Sequence, residues 1–336
     1  MKLFFRFFVL FFLLLTINSC NEEPSKPHQG MLKTSGGKTS EVLVVINNSL
    51  WKSIVGDSIR AVLQNVDPWL AQAEPAFDLT HIPPKVFAGV YKKYRNTLVV
   101  KIGNDVTKNI FKGRKNVYAK PQAIFELKCK TTKDFLKMFG QKSAEIVKYF
   151  HRNELIRIQN IYRGIKVDSV MDRVQKQFDF TMVFPKGFYV AKTAADFAWL
   201  RKITPDIEEG ILIYTKPYSD TSEFNYKNII AYRNQITKKY IPGPLEDTYM
   251  KVSDVFPPYW QSVDFKGSYA TLLRSWWDVK GYALGGPFLS YTFVDTVANR
   301  LITIDGYIKA PRKDKRDLLL HLEAIINTFE MKSLKD

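Results

Sequence analysis

Few residues of this 336-residue sequence have the types and the spacing that catalysis or metal binding requires. The sequence contains neither a Gly-x-Ser-x-Gly nucleophile motif, nor a glycine-rich phosphate loop with lysine, nor a dinucleotide-binding glycine pattern. No two of its histidines have a spacing typical of metal ligands. They are His28, His81, His151 and His321. We therefore predict no catalytic residues, no metal site and no cofactor.

Carboxylates near the C-terminus leave hydrolysis open as an alternative. Two carboxylates that converge in a cleft can act as acid and base on a glycosidic bond. Aspartates at strand ends, however, more often hydrogen-bond to the backbone of turns. The candidates are Asp254, Asp264, Asp278 and Asp305. Our main interpretation is therefore not an enzyme.

Recognition is the chemistry that the sequence favours. On an extended strand Arg274 and Trp276 share one face, while Trp277 points to the other. A guanidinium beside an indole suits sugars or anionic groups, and we predict that Arg201 and Tyr307 join this candidate binding surface. The alternative is that Trp277 belongs to the core and that Trp276 packs beneath the last helix.

Gly285-Gly286-Pro287 lacks the spacing of a phosphate-binding loop. We predict a structural turn or bulge, in which the backbone approaches a neighbour closely.

The surrounding pattern predicts an α+β fold with two associated α/β lobes. In the first lobe, residues 41–178, strands alternate with an amphipathic helix and a short helix at 86–90, and a helical pair follows from Thr131. The second lobe, residues 179–336, contains an antiparallel meander that helices cover. The runs that form the meander are 269–277, 288–294 and 301–308. Strand, helix and strand recur in both halves, but no residue-level identity establishes a repeat.

The N-terminus has the pattern of an export signal. A cationic start precedes an apolar run, Phe7 to Leu15, that is shorter than the roughly 20 residues of a membrane span. Ile17-Asn18-Ser19-Cys20 resembles the lipobox of bacterial lipoproteins. We predict a signal peptide over 1–19, acylation of Cys20 and a flexible tether over 20–40. The alternative is an ordinary signal peptide with a stray cysteine.

Charge and export together limit the partners. The formal net charge is +17, which attracts anionic partners such as acidic glycans or phosphates. Because the chain is expected to be exported, we predict no nucleic-acid partner. Acylation of Cys20 would leave Cys129 as the remaining cysteine, so no intramolecular disulfide is expected.

Several segments resemble an uncharacterised Bacteroidetes lipoprotein family, a domain of unknown function with a Gly-Gly-Pro-Phe motif near its C-terminus. The similarity covers nearly all of the mature chain. One departure is Thr248 before Tyr249, where serine is expected. The segments are 197–201, 216–218, 240–244, 276–277, 285–288, 306–307, 310–311, 315–316 and 322–325. The resemblance implies export and anchoring but supplies no activity.

These observations predict a non-catalytic binding module in the cell envelope, held by its lipid to the outer membrane. Two orientations stay open, towards the periplasm or at the cell surface. Glu22-Glu23 after the cysteine resembles a signal for surface display. The expected partners are the membrane and an anionic glycan, another anionic envelope polymer or an envelope protein. An envelope hydrolase and a structural or assembly factor are the alternatives.

Overall fold

The computed structural model describes residues 32–66 and 70–332. The predicted signal peptide, Cys20 and the tether as far as residue 31 lie outside the described residues. From Thr34 onward the chain forms one compact unit. Among the helices that the structure describes, none combines the length and apolar character needed to span a membrane.

The secondary structure consists of six α-helices and fifteen strands within the described residues. The helices are α1 Asn48–Trp51, α2 Ile54–Leu63, α3 Thr132–Gly164, α4 Asp168–Phe178, α5 Tyr226–Tyr240 and α6 Arg316–Ile326. The strands are β1 Glu41–Val45, β2 Asp78–Ile82, β3 Asn96–Ile102, β4 Ile110–Lys115, β5 Ala123–Cys129, β6 Phe180–Thr181, β7 Tyr189–Ala194, β8 Phe197–Ile203, β9 Glu208–Pro217, β10 Met250–Val252, β11 Tyr259–Phe265, β12 Ser268–Val279, β13 Tyr282–Asp295, β14 Arg300–Lys309 and β15 Glu330–Met331.

The first sheet has the order β2-β1-β3-β5-β4, parallel except for the edge strand β4. The central strands β1, β3 and β5 are short, largely buried runs, whereas the edge strands β2 and β4 are more exposed. The apolar faces of α2 and α3 pack on one side of it, in a core that includes Ile59, Phe135 and Phe150. Thr131 begins α3 by accepting a hydrogen bond from the backbone N–H of Asp134, at 3.1 Å.

The second sheet has eight antiparallel strands, in the order β10-β12-β13-β14-β9-β8-β7, with β11 beside β12. Alternate residues of each strand point to opposite faces, and both faces are covered. One face packs against α4 and α6. The other face packs against α5. The predicted α+β fold with two lobes, a C-terminal antiparallel meander and covering helices is thus confirmed.

Several local predictions need correction. Residues 86–90 form no α-helix; Val86 ends a short 3-10 turn, Pro84–Val86, and a second one, Tyr91–Lys93, follows Val90. The folded unit also starts earlier than expected, because Thr34 and Gly36 already form β-bridges. The tether predicted over 20–40 is therefore shorter at its C-terminal end. The division into lobes at residue 178 stays a prediction, since α4 packs against the second sheet.

Gly285, Gly286 and Pro287 lie inside β13 and form no turn, but the register between β12 and β13 shifts directly beside Gly285, as the alternative of a bulge predicts. They pair with Asp278, Trp277 and Trp276 of β12. The expected close approach is nevertheless present, because a Cβ atom at Gly286 would lie 1.9 Å from the carbonyl oxygen of Ile308. That oxygen accepts a hydrogen bond from Nε1 of Trp277, at 3.2 Å. Glycine is needed there to keep the two strands and the indole together.

Helix α6 connects the two sheets. Its first backbone N–H groups have no cap from their own segment, and the Glu74 carboxylate accepts from the N–H groups of Lys315 (2.8 Å) and Arg316 (2.8 Å). A carboxylate at this position also interacts favourably with the helix dipole. On the sheet side, Gly306 leaves space for the side chain of Leu322.

A fully buried ion pair fixes α5 to the other face of the sheet. Nε and Nη2 of Arg233 donate to the Asp305 carboxylate at 2.7 and 3.3 Å, and both side chains are 0% exposed. The guanidinium carbon lies 3.9 Å from the centroid of the Phe288 ring. Burial raises the pKa of Asp305, although the charge of Arg233 opposes this shift.

Removing one member of this ion pair should destabilise the fold far more than replacing both members with apolar residues. We expect Asp305→Ala to lower the free energy of unfolding by about 3–5 kcal/mol, because a buried guanidinium is left uncompensated. The double variant Arg233→Met/Asp305→Leu should recover most of that loss. Urea denaturation measures both, with Lys227→Ala on the exposed side of α5 as the control. Equal losses in the single and double variants would contradict the interpretation.

Candidate functional site

A groove lies at the end of the second sheet, beyond the C-terminus of α5. Its floor is formed by alternate residues of neighbouring strands, which therefore share one face. These include Trp199 and Arg201 of β8, Glu208 of β9, and Tyr307 and Lys309 of β14. Residues 241–244, which follow α5, form one wall of this cavity of about 380 Å³.

The polar groups of the floor form one connected network. Nε and Nη2 of Arg201 donate to the two carboxylate oxygens of Glu208, at 2.9 and 2.8 Å. Tyr307 donates its hydroxyl hydrogen to Glu208 at 2.5 Å and accepts one from Nε1 of Trp199 at 2.9 Å. The guanidinium carbon of Arg201 lies 4.5 Å from the centroid of the Trp199 ring. Two aromatic rings and one guanidinium are thus held in fixed orientations.

Burial and charge define the ionisation states in this network. Burial, followed by the charge and hydrogen bond of Glu208, raises the pKa of Tyr307 well above 10. Burial disfavours the charged form of Arg201, but its bonds to Glu208 outweigh this effect and raise the pKa of Arg201. At neutral pH the phenol of Tyr307 is therefore neutral, and the guanidinium of Arg201 is charged and makes a bidentate contact with Glu208.

Glycine makes the position of Tyr307 feasible. Gly210 is the β9 residue directly opposite Tyr307. A Cβ atom there would lie 2.0 Å from Cε1 of the tyrosine ring. Only a residue without a side chain lets the ring lie across the sheet and place its hydroxyl between Trp199 and Glu208.

The groove continues beyond Glu208 and Lys309 into a second cavity of about 400 Å³, which both residues also line. The turn between β8 and β9 and the segment after β14 enclose it, and Arg312 contributes a second cation. Lys309 and Arg312 form no ion pair with any residue that the structure describes. The only acids that line the two cavities in the described chain are Glu208 and Asp206, and both are paired, with Arg201 and Lys313. The extended groove thus presents aromatic and cationic groups.

The structure does not bring the four residues of the predicted binding surface together. Arg201 and Tyr307 lie in the groove, whereas Arg274 and Trp276 point to the opposite face of the sheet. Trp276 contacts Phe256 with 5.2 Å between the ring centroids and does not pack beneath α6. Trp277, which we assigned to the core as the alternative, is 2% exposed. The prediction of one continuous surface is therefore wrong.

Arg274 belongs instead to a buried cluster around Glu323 of α6. The carboxylate accepts from Nη2 of Arg274 at 3.1 Å and from the hydroxyl of Tyr291 at 3.0 Å, and Nε2 of His151 lies 3.3 Å away. Burial opposes ionisation of Glu323, but Arg274 and His151 overcome it and hold the pKa of Glu323 well below its usual range. The cluster borders a cleft of about 420 Å³ between α3 and α6. Its polar groups largely satisfy one another, so we regard the groove as the better binding site.

Sequence reasoning missed Trp199, Glu208 and Lys309. Trp199 lies in one of the segments that carry the family resemblance, and so do the wall residues 241–244. Those segments therefore meet in the groove, which is a signal that could have identified it. Glu208 and Lys309 face each other across β9 and β14, and no local pattern marks this pairing. In the described part of the chain no group of three or more His, Cys, Asp or Glu side chains could hold a metal ion.

Two families of uncharacterised domains match this chain. DUF8532, a domain of unknown function, matches residues 35–163, and DUF4837, also a domain of unknown function, matches residues 167–328. The predicted resemblance is confirmed as far as an uncharacterised domain family is concerned. The Bacteroidetes and lipoprotein character stays a prediction. A search of curated proteins finds no match.

Solved structures give only weak similarities. The Ran-binding protein Mog1p of Saccharomyces cerevisiae has 10% identity and a TM-score of 0.32, covering 46% of this chain and 91% of that one. A protein of unknown function from Pseudomonas aeruginosa, PA94, has 15% identity and a TM-score of 0.21, covering 39% of this chain and 76% of that one. Similarities at this level carry no argument about activity.

The buried phenol of Tyr307 should make the fold sensitive to alkali. Its raised pKa stabilises the folded protein fully below pH 10, the ordinary tyrosine value, and this stability is lost as pH rises above it. In Tyr307→Phe the free energy of unfolding should start about 1–3 kcal/mol lower, because buried hydrogen bonds are missing. Above pH 10 the free energy of unfolding should fall more steeply in the wild type than in the variant, and the two slopes should differ by about 1.4 kcal/mol per pH unit. Urea denaturation between pH 8 and 11 tests this, and parallel slopes would contradict it.

Proposed function

We propose that this protein, which contains two domains of unknown function, is an envelope lipoprotein that binds an acidic glycan in the extended groove. The observation that carries the proposal is the rigid network of Trp199, Arg201, Glu208 and Tyr307 on the floor of an open groove. Fixed groups lose little conformational freedom on binding, which favours affinity.

The chemistry of the groove matches the two parts of an acidic sugar. An indole offers a flat apolar surface on which the CH face of a sugar ring can stack. Nε and Nη2 of Arg201 donate to Glu208, and Nη1 makes no hydrogen bond to any described residue. Lys309 and Arg312 add two cations for carboxylate or phosphate groups. Two adjoining cavities give space for more than one sugar unit.

Binding fits this groove better than hydrolysis. A glycosidase requires a pair of carboxylates that are free to act as acid and as base or nucleophile. In the groove Glu208 accepts hydrogen bonds from Arg201 and Tyr307, and Asp206 is paired with Lys313 at 3.3 Å. Both carboxylates of the groove are thus held by cations.

The lipid anchor at Cys20 is the second part of the proposal. It is supported by the cationic start, the short apolar run and the lipobox-like Ile17-Asn18-Ser19-Cys20 of the sequence. Anchoring would keep the groove close to the polymers of the outer membrane, on its periplasmic face or at the cell surface.

We expect the purified protein to bind a fluorescent hexamer of galacturonic acid more tightly than uncharged maltohexaose. Trp199→Ala should weaken binding about ten-fold, because a stacking surface and a cation–π partner are lost. Trp276→Ala, on the opposite face of the sheet, is the matched control. Equal affinity for both sugars, or equal loss in both variants, would sink the proposal. New reducing ends that disappear in Glu208→Gln would identify a hydrolase instead.

Cells fed an alkyne-tagged fatty acid should incorporate the label into the wild-type chain and not into Cys20→Ala. The wild type should remain in the membrane fraction, while the variant should be released from it or keep its uncleaved signal. Protease treatment of intact cells then distinguishes surface display from a periplasmic orientation. A wild-type chain that is unlabelled and soluble would show that the anchor does not exist.

A further inference from the structure

The β4–β5 hairpin of the first sheet concentrates positive charge. Between residues 108 and 130 it contains a single acid, Glu126, and seven cations. The cations are Lys108, Lys112, Arg114, Lys115, Lys120, Lys128 and Lys130. We call residues 108–130 the basic hairpin. Most of its cations are exposed, and the hairpin forms the edge of the sheet.

The outer face of the basic hairpin is exposed along β4, whereas Ile124 of β5 is buried on the same face. Its inner face carries Phe111 and Phe125, which pack in the core beneath α3. Lys112 and Lys128 lie on the outer face, together with Arg114, which pairs with Glu126 at 3.1 Å. The segment 84–94 covers the outer face of the neighbouring strands β1 and β3. The exposed part of this face is therefore the edge strand β4, with Lys112 and Arg114.

Positive charge alone does not identify a partner, since lysines on an edge strand also prevent strand addition. Two further features of the basic hairpin point to a membrane. Tyr118 lies in its turn and is 40% exposed, with Nζ of Lys92 5.2 Å from the ring centroid. Tyrosine with neighbouring lysine is typical of the membrane–water interface.

The second feature is the place where the chain enters the fold. Thr34 forms a β-bridge with Lys120 in the turn of the basic hairpin, and Gly36 forms one with Tyr94. Hydrogen bonds between Gly36 and the backbones of Lys93 and Arg95, each 2.9 Å, fix this entry point. The segment leading back to Cys20 thus starts beside the turn that carries Tyr118.

We propose that the basic hairpin docks on the anionic headgroups of the leaflet that holds the lipid anchor. The orientation rests on the proposed anchor, whereas the attraction depends only on the hairpin. Contact with the leaflet at this point would orient the whole folded unit on the membrane. Such electrostatic contacts weaken with salt, because they act within a Debye length of the surface.

The test uses the mature chain, residues 20–336, with Cys20→Ala, so that no acyl chain contributes. It should cosediment with phosphatidylcholine vesicles that contain phosphatidylglycerol and not with pure phosphatidylcholine vesicles. Lys112→Ala/Lys128→Ala should weaken vesicle binding about 25-fold, at roughly five-fold per lysine near the surface. The matched control, Lys186→Ala/Lys227→Ala, removes the same charge from exposed sites outside the hairpin and should bind like the parent.

Equal loss in the two double variants would overturn the proposal, since it would indicate diffuse charge and no docking surface. Binding to both kinds of vesicle alike, or to neither, would also overturn it. The hexamer of galacturonic acid separates this proposal from the proposed function. Affinity for that sugar should be unchanged in Lys112→Ala/Lys128→Ala, because the groove lies on the second sheet.

Discussion

Helix α6 must satisfy partners on both sheets at once, and this requirement constrains the rest of the molecule. Its apolar face packs on the second sheet through Leu322 and Ile326, while its first turn depends on the Glu74 carboxylate that precedes β2. A third constraint is the buried Glu323, whose charge would be costly without Arg274, Tyr291 and His151 around it. Rotation or displacement of α6 would leave a helix end or a buried charge without partners. The two families that match this chain in succession therefore correspond to segments of one compact unit.

The same principle of pairing buried charge determines where the groove opens. The buried pair of Arg233 and Asp305 fixes α5 on the sheet, and α5 ends at Tyr240 before the sheet does. Beyond the C-terminus of α5, the face of the sheet is uncovered, and a second set of paired groups around Glu208 forms the floor of the groove. Polar groups that satisfy one another are stable in a partly buried place, and they also hold neighbouring aromatic rings in position. The groove is thus a consequence of a helix that covers only part of a sheet.

Positive charge has different roles in different parts of the chain. Many cations pair with acids inside the fold, as Arg201 and Arg274 do, and they add little to the external field. Lys309 and Arg312 lie in the groove, where they favour a ligand with acidic groups. The basic hairpin contains a single acid, Glu126, and most of its cations are exposed. The formal net charge of +17 therefore does not locate a binding surface until the ion pairs of the fold are known.

The sequence by itself determined the class of the fold, because periodicity of apolar residues is a local property. This periodicity was sufficient to predict the strands of the meander, the helices that follow Thr131 and the last helix of the chain. The sequence predicted antiparallel strands only for the meander, where short breaks separate them. For the other strands it did not determine direction or order, and similar strand–helix–strand patterns form a mostly parallel sheet in one lobe and an antiparallel one in the other. The site shows the same limit. Strand alternation correctly separated Trp276 from Trp277, but it could not show that Arg201 and Tyr307 share a face opposite to Arg274. Only the tertiary structure decided this, because the face of each strand depends on the register with its neighbours. The need for glycine at positions 210 and 286 likewise follows only from the fold, which places the ring of Tyr307 and the carbonyl of Ile308 against Gly210 and Gly286.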